Sequence, residues 1–363
     1  MLSYQTFLLI LSVLLLGGGC KTEIKTTEVP FNSKFIYYQG RIDTSHNNAA
    51  FMWSGTSATI RFKGTGVTAV LEDEKGENYY NVIIDNDSII MLHPSSGKNT
   101  YTLVSGLSAG EHTVELFKRT EWDKGTTKFF GFNVTGTPLE IDKKRDLKIE
   151  FYGNSITSGY AVEDYSGKDR PDSIYTNNYY SYAAVTARML NADYRCISKS
   201  GIGIMISWFP LIMPEMYDRL IPGDSTSVWD FTEYTPDIVV INLFQNDSWL
   251  VNMPDFPEFK HRFGTTPPDK EFIINSYKDF VSKIRGHYPD AHIICMLGSM
   301  DITKEGSPWP GYVEEAVKRL NDGRIQTFFV PYKNTPGHPK VEEQKDMATK
   351  LTGFIKESIL NEH

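Results

Sequence analysis

A chain of 363 residues is long enough for two domains and too long for one small one. Its composition, 40% hydrophobic and 23% charged, is that of an ordinary globular protein and excludes a low-complexity or fibrous chain. A formal charge of −8 argues against the basic surface that nucleic acid or an anionic membrane would need, so neither is expected as a partner.

Residues 7–16 form an apolar run broken only by Ser12, too short to span a bilayer comfortably. Gly17-Gly18-Gly19-Cys20 follows, with small residues for a peptidase and then a thiol. The arrangement resembles a bacterial lipoprotein signal, although no Lys or Arg precedes the run and Gly17 stands where leucine is usual. That resemblance implies that residues 1–20 are a targeting segment and that Cys20 is acylated. The protein is then exported to the periplasm, outer membrane or cell surface, touching membrane only through lipid. An ordinary secretory signal, or a short anchor, that happens to end near a cysteine is the alternative.

Short apolar-polar alternations fill residues 31–136. Ile60 and Phe62 alternate with polar neighbours, Lys63-Gly64-Thr65-Gly66 reads as a turn, and Val67, Ala69 and Leu71 resume the alternation. His112, Val114 and Leu116 repeat it. Period two without a helical stripe predicts an all-β sandwich over residues 30–140.

After the charged linker Asp142-Lys143-Lys144-Arg145-Asp146 the periodicity changes. Buried strands are predicted at 147–152, 194–197, 238–243, 292–297 and 328–330. Helices are predicted over 177–190, through Ile273, Tyr277, Phe280, Val281 and Ile284, and through Val341, Met347, Ala348, Leu351 and Ile355. Strands alternating with helices predict a three-layer α/β/α domain with a parallel sheet over residues 147–363. Its site should lie at the carboxyl ends of the strands. Cys196 and Cys295 sit in or beside strand-like runs and read as buried free thiols, with a disulfide left open. No Cys/His cluster has ligand spacing, so no metal and no cofactor are expected.

In Gly153-Asn154-Ser155-Ile156-Thr157, the serine directly follows a predicted strand, where its hydroxyl and N–H can face a substrate. Taken alone, it reads more readily as a helix N-cap. A nucleophilic serine needs a base. Of eight histidines, His363 is terminal and His46, His93 and His112 belong to the β region. His287 ends a helix, His292 opens a strand at the far edge, and His261 falls in a predicted polar loop. His338, in Pro336-Gly337-His338-Pro339 before the last helix, is the best placed. Oxyanion donors are available from Ser200-Gly201-Ile202-Gly203 and from Asn246 in Gln245-Asn246-Asp247, each after a strand.

Ser155, Gly201, Asn246 and His338, in that order, resemble the four blocks of the SGNH, or GDSL-like, hydrolase superfamily. Tyr152-Gly153-Asn154-Ser155, Trp229-Asp230-Phe231, Pro236-Asp237-Ile238, His338-Pro339 and, in the β region, Lys118-Arg119-Thr120-Glu121 and Gly131-Phe132 resemble carbohydrate esterase family 2. The resemblance implies a β jelly roll joined to an SGNH domain and removal of O-acetyl groups from plant polysaccharides such as xylan or glucomannan. It makes Ser155 the nucleophile, His338 the base, and Ser155, Gly201 and Asn246 the oxyanion hole. Three positions depart from the pattern. Asn154 replaces Asp, Phe244 replaces a Gly and is expected to crowd the pocket, and no Asp stands at Thr335 or Pro336. A Ser–His dyad acting through an acetyl-enzyme is therefore predicted.

Tyr160 and Trp249 are the candidates to stack on a sugar ring. Trp208 and Trp309 read rather as core. Two other functions stay open: a glycan-binding lipoprotein without activity, and an SGNH lipase or thioesterase acting on acyl chains. Oligomeric state is not read from the sequence.

Overall fold

A computed structural model describes residues 25–141 and 145–361, so Cys20 and its flanking segment lie outside the described residues. The first half is antiparallel. It runs through β1 (Thr26–Pro30), β2 (Ile36–Gln39), β3 (Ala49–Phe51), β4 (Ser57–Asp73), β5 (Tyr80–Ile84), β6 (Ser88–Leu92), β7 (Gly97–Val104), β8 (Gly110–Lys118) and β9 (Thr127–Leu139). Alternation on either side of residues 63–66 puts Ile60, Phe62, Val67, Ala69 and Leu71 of β4 into one apolar core with Val114, Leu116, Phe129 and Phe132. The segment 63–66, predicted as a turn, is instead the middle of this 17-residue strand. The register slips between Gly64 and Gly66, so the glycines make a bulge rather than a reversal. A Cβ on Gly64 would lie 2.1 Å from the Thr135 carbonyl oxygen, which is why a small residue stands there. Along one edge β4 pairs with β8 before the bulge and with β7 after it, and along the other with β2 over residues 57–60 and with β9 from Arg61 to Asp73.

The second half is parallel. Its strands are β10 (Lys148–Gly153), β11 (Asp193–Ser198), β12 (Ile238–Asn242), β13 (His292–Leu297) and β14 (Ile325–Phe329), in the order β11-β10-β12-β13-β14. Its helices are α1 (Ser155–Ser158), α2 (Tyr182–Met189), α3 (Gln245–Leu250), α4 (Pro257–Phe263), α5 (Lys270–His287), α6 (Trp309–Leu320) and α7 (Val341–Ile355). Alternate strand residues face opposite cores. Val239 and Ile241 pack with Ile273, Tyr277, Phe280 and Val313 of α5 and α6. Ile238 and Val240 pack with Ala183, Ala187, Met347 and Leu351 of α2 and α7. Apolar helices thus cover both faces of the sheet, as its unbroken hydrophobic strands require. The helix predicted from 177 begins only at Tyr182, because Ser181 caps it and residues 178–180 form a tighter turn. Cys196 and Cys295 are free and buried on different strands, and burial pushes the Cys295 thiol up to about 12.

The halves are tied by buried charge. Arg41, between β2 and β3, reaches Glu150 of β10 at 3.1 Å, and neither side chain is exposed. Its guanidinium also donates to the Tyr217 and Arg219 carbonyls, while Tyr152 and Tyr288 hydroxyls donate to Glu150. Both terminal nitrogens of the guanidinium and both carboxylate oxygens are hydrogen-bonded, which offsets the desolvation of the pair, while Arg41 Nε is buried without a partner.

Candidate active site

Four loops at the carboxyl edge of the parallel sheet meet at one point. Ser155 is the first residue of α1, directly after β10. The cap of that helix is Asn154, whose side chain accepts the Ile156 N–H at 3.1 Å, so the N-cap role read for Ser155 belongs to its neighbour. The serine hydroxyl is thereby free, and it lies 2.8 Å from His338 Nε2. At the helix's first position its N–H has no intrahelical acceptor.

The other ring nitrogen of His338, Nδ1, donates to Asp169 Oδ2 at 2.7 Å, and the His338 backbone N–H reaches the same oxygen at 2.8 Å. Lys340 Nζ sits 2.9 Å from Asp169 Oδ1. The Ser–His dyad prediction is therefore corrected: a carboxylate does orient the imidazole, and it arrives from the loop after α1. That loop is itself bracketed by Arg170, whose guanidinium and N–H bond Asp164. Burial disfavours the Asp169 carboxylate, but the hydrogen bonds from His338 and Lys340 prevail and hold its pKa well below the usual range. It is ionised at any working pH, and accepting from Nδ1 leaves Nε2 as the acceptor for the serine proton.

Gly201 follows β11 with φ +84°, a left-handed conformation that favours glycine, and a Cβ there would crowd Trp208 and Phe209. Asn246 lies in the first turn of α3. Its Oδ1 accepts from the Trp208 indole at 3.1 Å and its Nδ2 donates to the Ile202 carbonyl at 2.8 Å. An indole can only donate, so this bond fixes the amide orientation and leaves one Nδ2 hydrogen to offer. Ser155, Tyr160, Ser200, Gly201, Trp208, Asn246, Trp249 and His338 line a cavity of about 260 Å³.

The aromatic residues divide differently from expectation. Tyr160 packs edge-on against the His338 ring at 5.0 Å between centroids, and Trp249 is held by Asp301 through its indole N–H. Trp208 is 44% exposed and lines the cavity, so the core reading made for it is wrong. Trp309 is buried against Phe244. Phe244 does not crowd the cavity. Its backbone takes φ +76°, the conformation a glycine would adopt easily, and its ring turns into the core onto Tyr277 and Trp309. His261 lies in α4 rather than a loop.

Three groups escaped the sequence reading. Asp169 is one of three aspartates in residues 164–172, and no spacing singles it out. Asp247, beside Asn246, is fully buried and accepts the N–H groups of Ile204, Met205 and Ile206. Glu121, from the antiparallel half, bonds Ser200, and only its place in the Lys118-Arg119-Thr120-Glu121 motif marked it.

A solved family two carbohydrate esterase from Clostridium thermocellum, in complex with cellohexaose, is 35% identical to the chain. The match covers 89% of this chain and 99% of that one, with a TM-score of 0.79. The chain belongs to carbohydrate esterase family 2. The family model described as "Carbohydrate esterase 2 N-terminal" matches residues 38–140, within the antiparallel half. A cellulase/esterase, CelE, of Acetivibrio thermocellus is 35% identical over 339 residues, and the chain spans 39% of its length. An acetylxylan esterase / glucomannan deacetylase of Cellvibrio japonicus is 26% identical over 345 residues, 92% of this chain and 91% of that protein. In this family 2 chain, then, Ser155, Gly201, Asn246 and His338 come together on the parallel half.

Proposed function

We propose that the protein is a serine esterase that removes O-acetyl groups from plant polysaccharides such as xylan or glucomannan. The observation that carries this reading is the single imidazole that bonds Ser155 Oγ through Nε2 and Asp169 through Nδ1. His338 takes the Ser155 proton as Oγ attacks the acetyl carbonyl carbon. The carbonyl oxygen becomes an oxyanion received by the N–H groups of Ser155 and Gly201 and by Asn246 Nδ2. His338 then gives its proton to the departing sugar oxygen, leaving an acetyl-enzyme. Water, deprotonated by His338, attacks that ester and releases acetate and free Ser155. Asp169 does not change its protonation; it holds the tautomer and supports the transient imidazolium. Trp208, Trp249 and Tyr160 offer rings to the sugar around the ester.

The deciding experiment measures acetate released from acetylated xylan and glucomannan, against a long-chain p-nitrophenyl ester, by wild type and Ser155→Ala. Release from the polysaccharides that disappears in Ser155→Ala supports the reading. Preference for the long chain would favour a lipase, against which the small cavity argues. Undiminished activity in Ser155→Ala would remove the mechanism. A second reading, glycan binding without turnover, draws on the exposed Trp208 and on the relative's complex with cellohexaose. It predicts cellohexaose binding by calorimetry with no acetate release from wild type. The sequence around Cys20 supports a lipid-anchored, exported protein, and labelling with radioactive palmitate that vanishes in Cys20→Ala would test it.

A further inference from the structure

One carboxylate from the antiparallel half lies among the oxyanion donors. Glu121 follows the end of β8, and its side chain is only 4% exposed. Its Oε2 accepts the Ser200 N–H at 2.5 Å and the Ser158 hydroxyl at 3.3 Å, and its Oε1 accepts the Ser200 hydroxyl. Ser200 immediately precedes Gly201, and Ser158 is the last residue of α1, the helix that opens with Ser155. The same carboxylate thus grips both segments that present backbone N–H groups to the site.

The corner that carries Glu121 is rigid for its own reasons. Lys118 is wholly buried and donates to the Thr120 and Glu121 carbonyls at 2.8 and 3.0 Å. Next to it, Arg119 donates to the Ile174 and Thr176 carbonyls and pairs with Glu163, holding the polypeptide on either side of Asp169's loop. On the far side of the cavity Asp247 holds residues 204–206. Pinning both the N–H and the hydroxyl of Ser200 fixes where that residue sits, and the turn closed by the Ile202 N–H on the Lys199 carbonyl at 3.2 Å carries that placement to the next N–H, which belongs to Gly201.

We propose that Glu121 is a positioning residue for the oxyanion hole, so that the antiparallel half completes the esterase site without touching the substrate. This rests on the esterase reading above. A mere seam contact would be a different thing, and Asp123 supplies one for comparison: it pairs at 2.9 Å with Lys199, which also lies 3.8 Å from Glu121, but Asp123 itself bonds neither serine. An oxyanion hole works because its donors are fixed before charge develops, so losing the grip on Ser200 should act on the transition state rather than on substrate binding.

The test compares Glu121→Ala, the isosteric Glu121→Gln and the seam control Asp123→Asn with wild type. Kinetics on p-nitrophenyl acetate, the inhibition constant of a phenylboronic acid that forms a tetrahedral adduct on Ser155, and Tm are measured for each. Glu121→Ala should lower kcat by about 10²-fold, with KM within about threefold and the boronate constant weakened in parallel. Glu121→Gln keeps one acceptor oxygen and should recover part of kcat, and Asp123→Asn should match wild type. The proposal is overturned if Glu121→Ala keeps full kcat, if only KM moves, or if Asp123→Asn loses as much. It is also overturned if both Glu121 variants lose Tm while activity per folded molecule is unchanged. A wild type without ester hydrolysis would sink the esterase reading and this role together, whereas an active wild type with an unimpaired Glu121→Ala would sink this role alone.

Discussion

The two halves of the molecule use the same currency of buried polar groups for different ends. In the parallel half, the groups that can meet an ester sit on short segments after β10, β11 and β12 and before α7, all at one sheet edge. The antiparallel half supplies no reacting atom, yet its buried Arg41, Lys118, Arg119 and Glu121 all point across the boundary or brace a residue that does. The difference teaches that a domain can belong to an active site through what it holds still.

Substitutions can break or sharpen that contrast, beginning with the parallel half. Ser155→Ala should lower kcat on p-nitrophenyl acetate by at least about 10⁴-fold with Tm unchanged, because it removes the bond-forming atom and little packing. Asp169→Asn should cost about 10³-fold in kcat, since an amide can hold the ring in the wrong tautomer. If it costs under about tenfold, the carboxylate is dispensable and the dyad returns. Arg41→Met tests the other kind of role. It strands Glu150 in the core, so urea unfolding should show a loss of about 3–5 kcal/mol while kcat per folded molecule is kept.

Asp247 gives a pH-dependent test of smaller size. Complete burial pushes its pKa up to about 6, against the N–H groups that favour the carboxylate. A carboxyl group whose folded pKa lies above its unfolded value takes up a proton on folding. Its contribution is therefore full below about pH 4 and is lost as pH rises towards 6, by about 3 kcal/mol in all. Unfolding free energies between pH 4 and 7 should fall along that slope in wild type and run flatter in Asp247→Asn. The smallest effect belongs to Trp208→Ala. Losing one exposed ring should raise KM for acetylated xylan about fivefold, near 1 kcal/mol, and freeing the Asn246 amide from its indole donor should lower kcat on p-nitrophenyl acetate by about as much.

Much of the fold was legible because periodicity is a local signal. Alternation in β4 and β8 and the unbroken runs of β10, β12 and β13 each declare their burial without reference to distant residues. The turn assigned at Gly64-Thr65-Gly66 failed because glycine marks a bulge as readily as a reversal, and the choice lies with Thr135 on the partner strand. At the site, Ser155, Gly201, Asn246 and His338 were found because each follows or precedes a recognisable element. Asp169 and Glu121 were assigned no role because their partners are 169 and 79 residues away, and nothing near them in the chain records the contact. Trp208 and Phe244 were both misread: sequence shows that a ring is present but not which way it faces, and at Phe244 it is a backbone with φ +76° that turns the ring into the core.

The unbroken course of β4 sets an order of events during synthesis. Once residue 139 has emerged, every strand partner of the antiparallel sheet exists, including the long pairing of β4 with β9. At that moment Arg41 has neither Glu150 nor the carbonyls of Tyr217 and Arg219 to bond, and Glu121 has no Ser200. Those charges, and the Trp53, Ile83 and Phe117 side chains that pack into the cores of the later half, find their partners only when that half is made.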